Sequence, residues 1–307
     1  MEAQNSFKFL SRILITFGVL FINAVIFTFL AELICKVIFN IRVSKYLIAS
    51  DFGNPSDIQK NAVRLFQAIF SFGCFAFSAI VLALAFKQNP LEYLGLNTFP
   101  KPLVLFIVPV LCIVTIPLVF WLGDINKAIK LPEFLSSFEL ELKAKEEQNN
   151  KLYELLLGMN SYKEYIFNLI VMALIPSIGE ELICRGVLLN ILYDYSGKFF
   201  RSVVIVALIF TMFHMQFYKS LPMIGLAILL GLIIHWTNGL WASILYHFLN
   251  NALLITGSFL EQQGITNLLD EETFQIPIAI TISSFIITIA IIVIMNRISS
   301  QKLKTHL

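Results

Sequence analysis

Long apolar segments constrain this chain more than any other feature of its sequence. A helix needs about 20 mainly apolar residues to cross the hydrocarbon layer of a membrane, and the chain contains about eight such segments. Only 14% of its 307 residues are charged, whereas about 25% is usual in a soluble domain. We therefore predict an all-α, polytopic integral membrane protein with about eight transmembrane helices. The predicted segments cover residues 13–37, 62–86, 103–122, 165–192, 199–217, 221–237, 240–259 and 276–295.

One long polar insert divides the chain into four regions. Three apolar segments occupy residues 1–123, the insert covers 124–164, a core of four segments covers 165–259, and the last segment and tail cover 260–307. Within the insert, apolar residues recur at helical spacing with charges on the opposite side, which predicts a surface-lying amphipathic helix. A solvated connector helix is the alternative. The recurring apolar residues are Leu131, Phe134, Leu135, Phe138 and Leu142.

Charge and cysteine patterns predict the surroundings of the chain. Basic residues near both ends place both termini in the cytoplasm under the positive-inside rule, although Arg42, Lys45 and Lys60 count against this orientation. No basic block suggests a nucleic-acid partner, so the predicted environment is the lipid bilayer. The four cysteines lie in apolar runs without a Cys-x-x-Cys pair, which favours buried thiols over a disulfide framework. The basic residues near the ends are Lys8, Arg12, Arg297, Lys302 and Lys304.

Three charged residues interrupt the fourth apolar segment, in the run IPSIGEELICRGVLLN at 175–190. Each costs about 2.5–3.5 kcal/mol at the centre of a membrane helix, and such residues usually mark function. Arg185 lies four residues after Glu181, on the same helical face, and can neutralise it. Glu180 points about 100° away and is free to face a water as a general base. A buried ion cluster that only fixes helix packing is the alternative.

Two histidines lie on later apolar segments. His214 is in the fifth segment, and His247 is in the seventh, with Asn251 one helical turn further on the same face. A lone histidine within a membrane segment is as readily a packing or hydrogen-bonding residue. Two histidines on separate helices, together with the glutamates, indicate that these groups converge on one site.

These residues form three spaced motifs whose order resembles a known family. Glu180-Glu181-x-x-x-Arg185, Phe210-x-x-x-His214 and His247-x-x-x-Asn251 are similar to the signature of the CPBP family. This family comprises type II CAAX prenyl endopeptidases and bacteriocin-processing or Abi proteins. The resemblance covers about residues 165–259, each motif lying on an apolar segment. Cys184 departs from the aromatic residue that the resemblance leads us to expect before Arg185.

The resemblance implies a role for each residue. Glu180 would activate a water and His214 would help to hold or deprotonate it, while His247 and Asn251 would form an oxyanion hole. Glu181 and Arg185 would brace the site. A metal-free, glutamate-dependent mechanism is favoured, because no His-Glu-x-x-His helix is present. The alternative is zinc held by Glu180, His214 and His247.

The resulting prediction is an intramembrane endopeptidase. Its substrate would be a membrane-associated peptide or protein, either prenylated or similar to a bacteriocin precursor, and its location the bacterial cytoplasmic membrane. Two other classes remain open from the residues alone: a proton-coupled transporter, and a non-catalytic immunity or scaffold protein on the same fold. The absence of paired broken helices in an internal repeat counts against a transporter.

Overall fold

A computed structural model describes residues 2–49, 55–266 and 276–303. Within these ranges the chain is helical and contains no β-strand, which confirms the predicted all-α class. The α-helices are α1 Glu2–Phe39, α2 Val43–Ala49, α3 Asp57–Ser71, α4 Ser78–Ala85, α5 Pro90–Tyr93, α6 Pro102–Ala128, α7 Ser136–Leu157, α8 Tyr162–Asn168, α9 Ile175–Glu181, α10 Leu189–Ser196, α11 Phe199–His214, α12 Ser220–Thr237, α13 Trp241–Gln262 and α14 Ile278–Leu303.

Six of the eight predicted segments lie on helical stretches that are long and apolar enough to cross a membrane, among the residues described. The fifth predicted segment is the shorter apolar helix Phe199–His214, and the seventh is α13, which is not among the six. The chain is therefore a polytopic integral membrane protein. Lys304, one of the residues used to predict its orientation, lies outside the described ranges. The six stretches are Gln4–Phe39, Asp57–Ala85, Pro102–Ala128, Tyr162–Ser196, Phe217–Thr237 and Ile278–Ile298.

Wide π-helical turns interrupt the stretch that carries the charged cluster. Leu169–Leu174 separates α8 from α9, and Leu182–Leu188 separates α9 from α10. The first wide turn ends two residues before Pro176, whose ring would clash with the carbonyl four residues earlier in a regular α-helix. Such turns are frequent at functional sites because they change the direction in which neighbouring side chains point.

Small residues let other helices approach the charged cluster closely. A third π-helical segment, Phe72–Phe77, packs against α9. A Cβ atom on Gly179 would lie only 2.8 Å from Cβ of Phe75, so this contact requires glycine. A Cβ atom on Gly186 would lie 2.9 Å from Cδ2 of Leu94, the end of a side chain that can move aside more easily. The run 182–189 is buried throughout, and all four cysteines of the chain are buried as predicted.

The polar insert forms a helix that starts later than the apolar spacing suggests. Helix α6 continues to Ala128, beyond the predicted region boundary at residue 123. Pro132 precedes a 3-10 turn at Glu133–Leu135, and α7 begins at Ser136. Of the predicted apolar face, Phe134 and Phe138 are exposed. The residues that α7 buries are Glu146, Leu155 and Leu156.

Candidate active site

The predicted site residues come from three separate helical stretches. Glu180 and Glu181 are the last two residues of α9, and Arg185 lies in the wide turn that follows. His214 is the last residue of α11. His247 and Asn251 lie on α13, which packs directly against α9.

Glu181 is the centre of a buried hydrogen-bond network. Arg185 Nη1 donates to Oε1 of Glu181 at 2.7 Å, as the four-residue spacing predicts. His247 Nδ1 lies 3.0 Å from the same oxygen, and because a carboxylate only accepts, this nitrogen carries the proton. Ser243 Oγ donates to the other oxygen, Oε2. Arg185 Nη2 also donates to the carbonyl of Ala227 at 3.0 Å, which ties the network to α12.

Burial makes this network both necessary and rigid. The side chains of Glu181 and Arg185 are 0% and 1% exposed. An ionised group in such a place is tolerated only when it is paired and its remaining lone pairs and protons are bonded. The network therefore fixes the ring of His247, because the Nδ1 bond to Glu181 sets both its orientation and its proton position.

Glu180 occupies a different environment from its neighbour. Its side chain is 15% exposed, and its Oε2 lies 3.7 Å from Nε2 of His247. This distance is too long for a direct hydrogen bond. It suits two groups that a water or a substrate atom joins. His247 thus lies between two carboxylates, bonded to Glu181 through Nδ1 and facing Glu180 through Nε2.

An aromatic ring connects His214 to the network. The ring centroid of Phe210 lies 4.3 Å from that of His214 and 6.3 Å from that of His247. The guanidinium carbon of Arg185 lies 5.5 Å from the centre of the same Phe210 ring. His214 Nδ1 donates to the carbonyl of Phe210 at 2.8 Å, which leaves Nε2 as its proton acceptor in the neutral form. Among the described ion pairs, none joins His214 to Glu180 or Glu181.

Asn251 lies one helical turn beyond His247 on α13 and is partly exposed. Within the described part of the chain, its side chain makes no hydrogen bond, so its amide is available to a ligand. The structure therefore joins Glu181, Arg185 and His247 through direct hydrogen bonds, and it places Glu180 3.7 Å from His247. The ring of Phe210 lies between His214 and His247. Asn251 lies on the same helix as His247.

Ser243 is a site residue that the sequence analysis missed. It lies four residues before His247, on the same face of α13, and reaches the same carboxylate. The signal available in the sequence was this helical spacing from a predicted site histidine. A serine within an apolar helix is common, so the spacing alone does not distinguish a site residue.

The arrangement of these side chains also bears on the zinc alternative. Among the described residues, no group of three or more histidine, cysteine, aspartate or glutamate side chains is arranged to hold a metal ion. His214 donates Nδ1–H to its own helix and His247 donates Nδ1–H to Glu181. These bonds fix both rings without occupying Nε2, the atom through which a histidine so held binds a metal. The zinc alternative therefore stays a prediction.

Fold and site together define a class of protein. It is a polytopic helical membrane protein in which a partly exposed carboxylate faces an imidazole that a second, fully buried carboxylate holds in place. Carboxylates and imidazoles in such surroundings are typical of general acid–base chemistry.

Comparison with known proteins relates part of the chain to one protease family. Residues 162–253 match the family model described as "Type II CAAX prenyl endopeptidase Rce1-like". The match covers less than a third of the 307 residues but includes every predicted site residue. It confirms the resemblance recognised in the motifs and supports an intramembrane protease of the CAAX type. No curated protein and no solved structure matches the chain.

Proposed function

We propose that the chain is an intramembrane endopeptidase in which Glu180 activates a water for attack on a peptide carbonyl. The observation that carries this proposal is the placement of His247. Its Nδ1 is bonded to Glu181 at 3.0 Å, and its Nε2 faces Glu180 at 3.7 Å. A base and a directed imidazole then face each other within the protein.

The proposed reaction assigns one role to each of these groups. Glu180 accepts a proton from the water as the water oxygen bonds to the carbonyl carbon. The Asn251 amide donates a hydrogen bond to the tetrahedral oxyanion, and His247 completes the proposed oxyanion hole. Preorganised donors of this kind contribute about 3–4 kcal/mol each. Glu180 then delivers its proton to the leaving nitrogen as the carbon–nitrogen bond breaks, which restores the carboxylate.

The remaining residues support the reacting groups. His214 holds the water through Nε2, the acceptor that its Nδ1 bond to Phe210 leaves free. Glu181, Arg185 and Ser243 brace the ring of His247. Because Glu181 is bonded to all three of its neighbours, it is the positioning carboxylate, and Glu180 is the base.

The substrate is a peptide at or within the bilayer. Extended peptide backbone is tolerated at membrane depth only inside a protein-lined cavity, so the scissile bond must enter the site between helices. The family description favours a peptide that is prenylated near its carboxyl end. A bacteriocin-like precursor is the second substrate class, and the proposed location is the bacterial cytoplasmic membrane with both termini in the cytoplasm.

One comparison tests this function. Purified protein is incubated with a labelled peptide library containing prenylated and unprenylated members, beside Glu180→Gln, with and without a metal chelator. We expect cleavage by the wild type, at least a hundredfold slower cleavage by Glu180→Gln, and no effect of the chelator. Cleavage that survives Glu180→Gln would overturn the role of this carboxylate. Cleavage that the chelator abolishes would overturn the metal-free mechanism.

A further inference from the structure

The connection between α11 and α12 begins directly after His214. Helix α11 ends at His214 and α12 begins at Ser220, so residues 215–219 join them. Met215, the first of these, has φ 51° and ψ 35°, in the left-handed region that glycine usually occupies at the end of a helix. A residue other than glycine keeps this conformation only where the surrounding structure holds it. The backbone that leaves His214 therefore needs contacts from other parts of the chain.

Asn126, near the end of α6, supplies several of these contacts. It is buried, at 1% exposure, and its Nδ2 donates to the carbonyl of Phe217 at 2.9 Å. Its Oδ1 accepts from the backbone N–H of Leu221 at 2.6 Å and from Ser220 Oγ at 3.1 Å. The first N–H groups of a helix have no partner within that helix, so Asn126 supplies one for α12 from outside it. These bonds attach the connection to α6.

Glu146, in the middle of α7, holds the same connection from a second helix. It is also buried, at 6% exposure, and its Oε2 accepts a hydrogen bond from the backbone N–H of Tyr218 at 3.0 Å. The hydroxyl of Tyr218 donates separately to Glu139, also on α7, at 3.1 Å. Glu146 therefore holds the backbone of the connection, whereas Glu139 holds only a side chain that projects from it.

The position of His214 depends on where the end of α11 lies. Among the described hydrogen bonds, the ring of His214 is bonded within its own helix, to the carbonyl of Phe210. This bond orients the ring relative to α11 but does not fix α11 relative to Glu180. In the proposed reaction Nε2 of His214 holds the attacking water, and a displacement of about 1 Å in such a group can slow a reaction about a hundredfold. Contacts that hold the backbone next to His214 therefore bear on the rate.

We propose that Glu146 and Asn126 are positioning residues, which keep His214 in place by holding the backbone of the connection that follows it. The inference rests on the proposed function, because it takes His214 as the residue that holds the water. Both residues lie outside the three motifs and outside the matched range 162–253. Helices α6 and α7 are thereby assigned a part in the reaction.

Nuclear magnetic resonance of the histidine rings tests this positioning without requiring turnover. Full-length protein in micelles carries labelled histidine, and His214→Gln identifies the signals of His214 among those of the four histidines. Glu146→Met removes the acceptor, whereas Glu146→Gln retains an acceptor oxygen. Tyr218→Phe is the matched control, because it removes the bond to Glu139 and leaves the bond to Glu146. We expect the signals of His214 to shift in Glu146→Met and to keep their wild-type positions in the other two variants.

Two outcomes of the resonance experiment would overturn the inference. One is a set of His214 signals that stays in place in Glu146→Met, and the other is an equal shift in Tyr218→Phe. The signals of His235, at the opposite end of α12, should not move in any variant. Asn126→Ala removes the bonds from α6 and should shift the same signals of His214, so the test does not depend on the folding of Glu146→Met.

Kinetics separate positioning from a general loss of structure. In Glu146→Met, kcat should fall at least about tenfold while KM stays within about twofold of wild type, because His214 holds the water and not the peptide. Glu146→Gln should restore most of kcat, and Tyr218→Phe should match the wild type in both constants. A loss in Tyr218→Phe as large as that in Glu146→Met would overturn the inference. If the wild type cleaves no peptide, the proposed function falls, and the ring signals still decide whether Glu146 positions His214. If cleavage depends on Glu180 but not on Glu146, only this inference falls.

Discussion

Replacing Glu181 with glutamine removes a negative charge from the buried network while preserving the size of the side chain. The pair with Arg185 is 2.7 Å long, and the two side chains are 0% and 1% exposed. Glutamine can still accept from Arg185 and present its amide to Ser243, so the loss is mainly one of charge. Breaking a buried ion pair by removing one partner costs about 3–5 kcal/mol, because the remaining charge stays buried and uncompensated. We expect Glu181→Gln to lower the free energy of unfolding by this amount.

The chain supplies a matched control for this substitution. Arg12 pairs with Asp194 at 3.1 Å, but Asp194 is 62% exposed. Asp194→Asn makes the same chemical change in an exposed pair whose groups water can hydrate. It should lower the free energy of unfolding by less than about 1 kcal/mol. Both free energies are measured by denaturant titration in mixed micelles, with tryptophan fluorescence as the probe.

A double variant tests whether the cost arises from the unpaired charge. Arg185→Met combined with Glu181→Gln removes both charges, so the combined loss should be smaller than the sum of the two single losses by at least about 2 kcal/mol. Additive losses would refute the reasoning. A loss for Glu181→Gln no larger than that for Asp194→Asn would also refute it.

Three further predictions concern other contacts. Ser243→Ala leaves one oxygen of Glu181 without its donor, so the free energy of unfolding should fall by about 1–3 kcal/mol; no change would show that this bond contributes nothing. Gly179→Ala places a Cβ 2.8 Å from that of Phe75, so chemical denaturation should reveal a loss of about 1–3 kcal/mol, and a neutral result would contradict the close approach. Bonds from lysine and tyrosine partners lower the pKa of Glu139 below its ordinary value. The stability that ionised Glu139 contributes is present at pH values above its ordinary pKa, and it is lost as the pH falls through its lower pKa in the folded protein. A nitroxide on α7 should therefore gain mobility only in that acidic range, and a gain near neutral pH would contradict the assignment.

The parts of the site that follow from local geometry could be predicted from the sequence. A spacing of four residues on a helix brings Arg185 to Glu181 without any knowledge of the fold. Apolar segments likewise predicted the helical membrane class. These inferences succeeded because the relevant contacts lie within one helical stretch.

Contacts between distant stretches could not be predicted in the same way. The bond between His247 and Glu181 joins residues 66 positions apart, and the bond between Ser243 and Glu181 joins residues 62 positions apart. Which of the two glutamates the imidazole contacts depends on the rotation of α13 against α9, and periodicity does not determine this rotation. The wide turns on both sides of α9 shift the faces of that stretch further.

The insert illustrates a second limit. Its apolar spacing predicted a surface-lying helix whose apolar face included Phe134 and Phe138, and both side chains are exposed, as lipid-facing side chains would be. The contacts that fix α7 are instead polar, from Glu146 to a backbone N–H and from Arg64 to backbone carbonyls. Hydrophobic periodicity carries no information about such contacts, because the polar partner looks solvent-facing in the sequence.

The most direct test of the account is a single turnover in oxygen-18 water, followed by mass spectrometry of the cleaved peptide and of the protein segment around Glu180. If Glu180 acts as a base on a water, the new peptide carboxylate carries the label after the first turnover and Glu180 carries none. Label in the Glu180 side chain would show that this carboxylate attacks the peptide itself, and it would contradict the central claim.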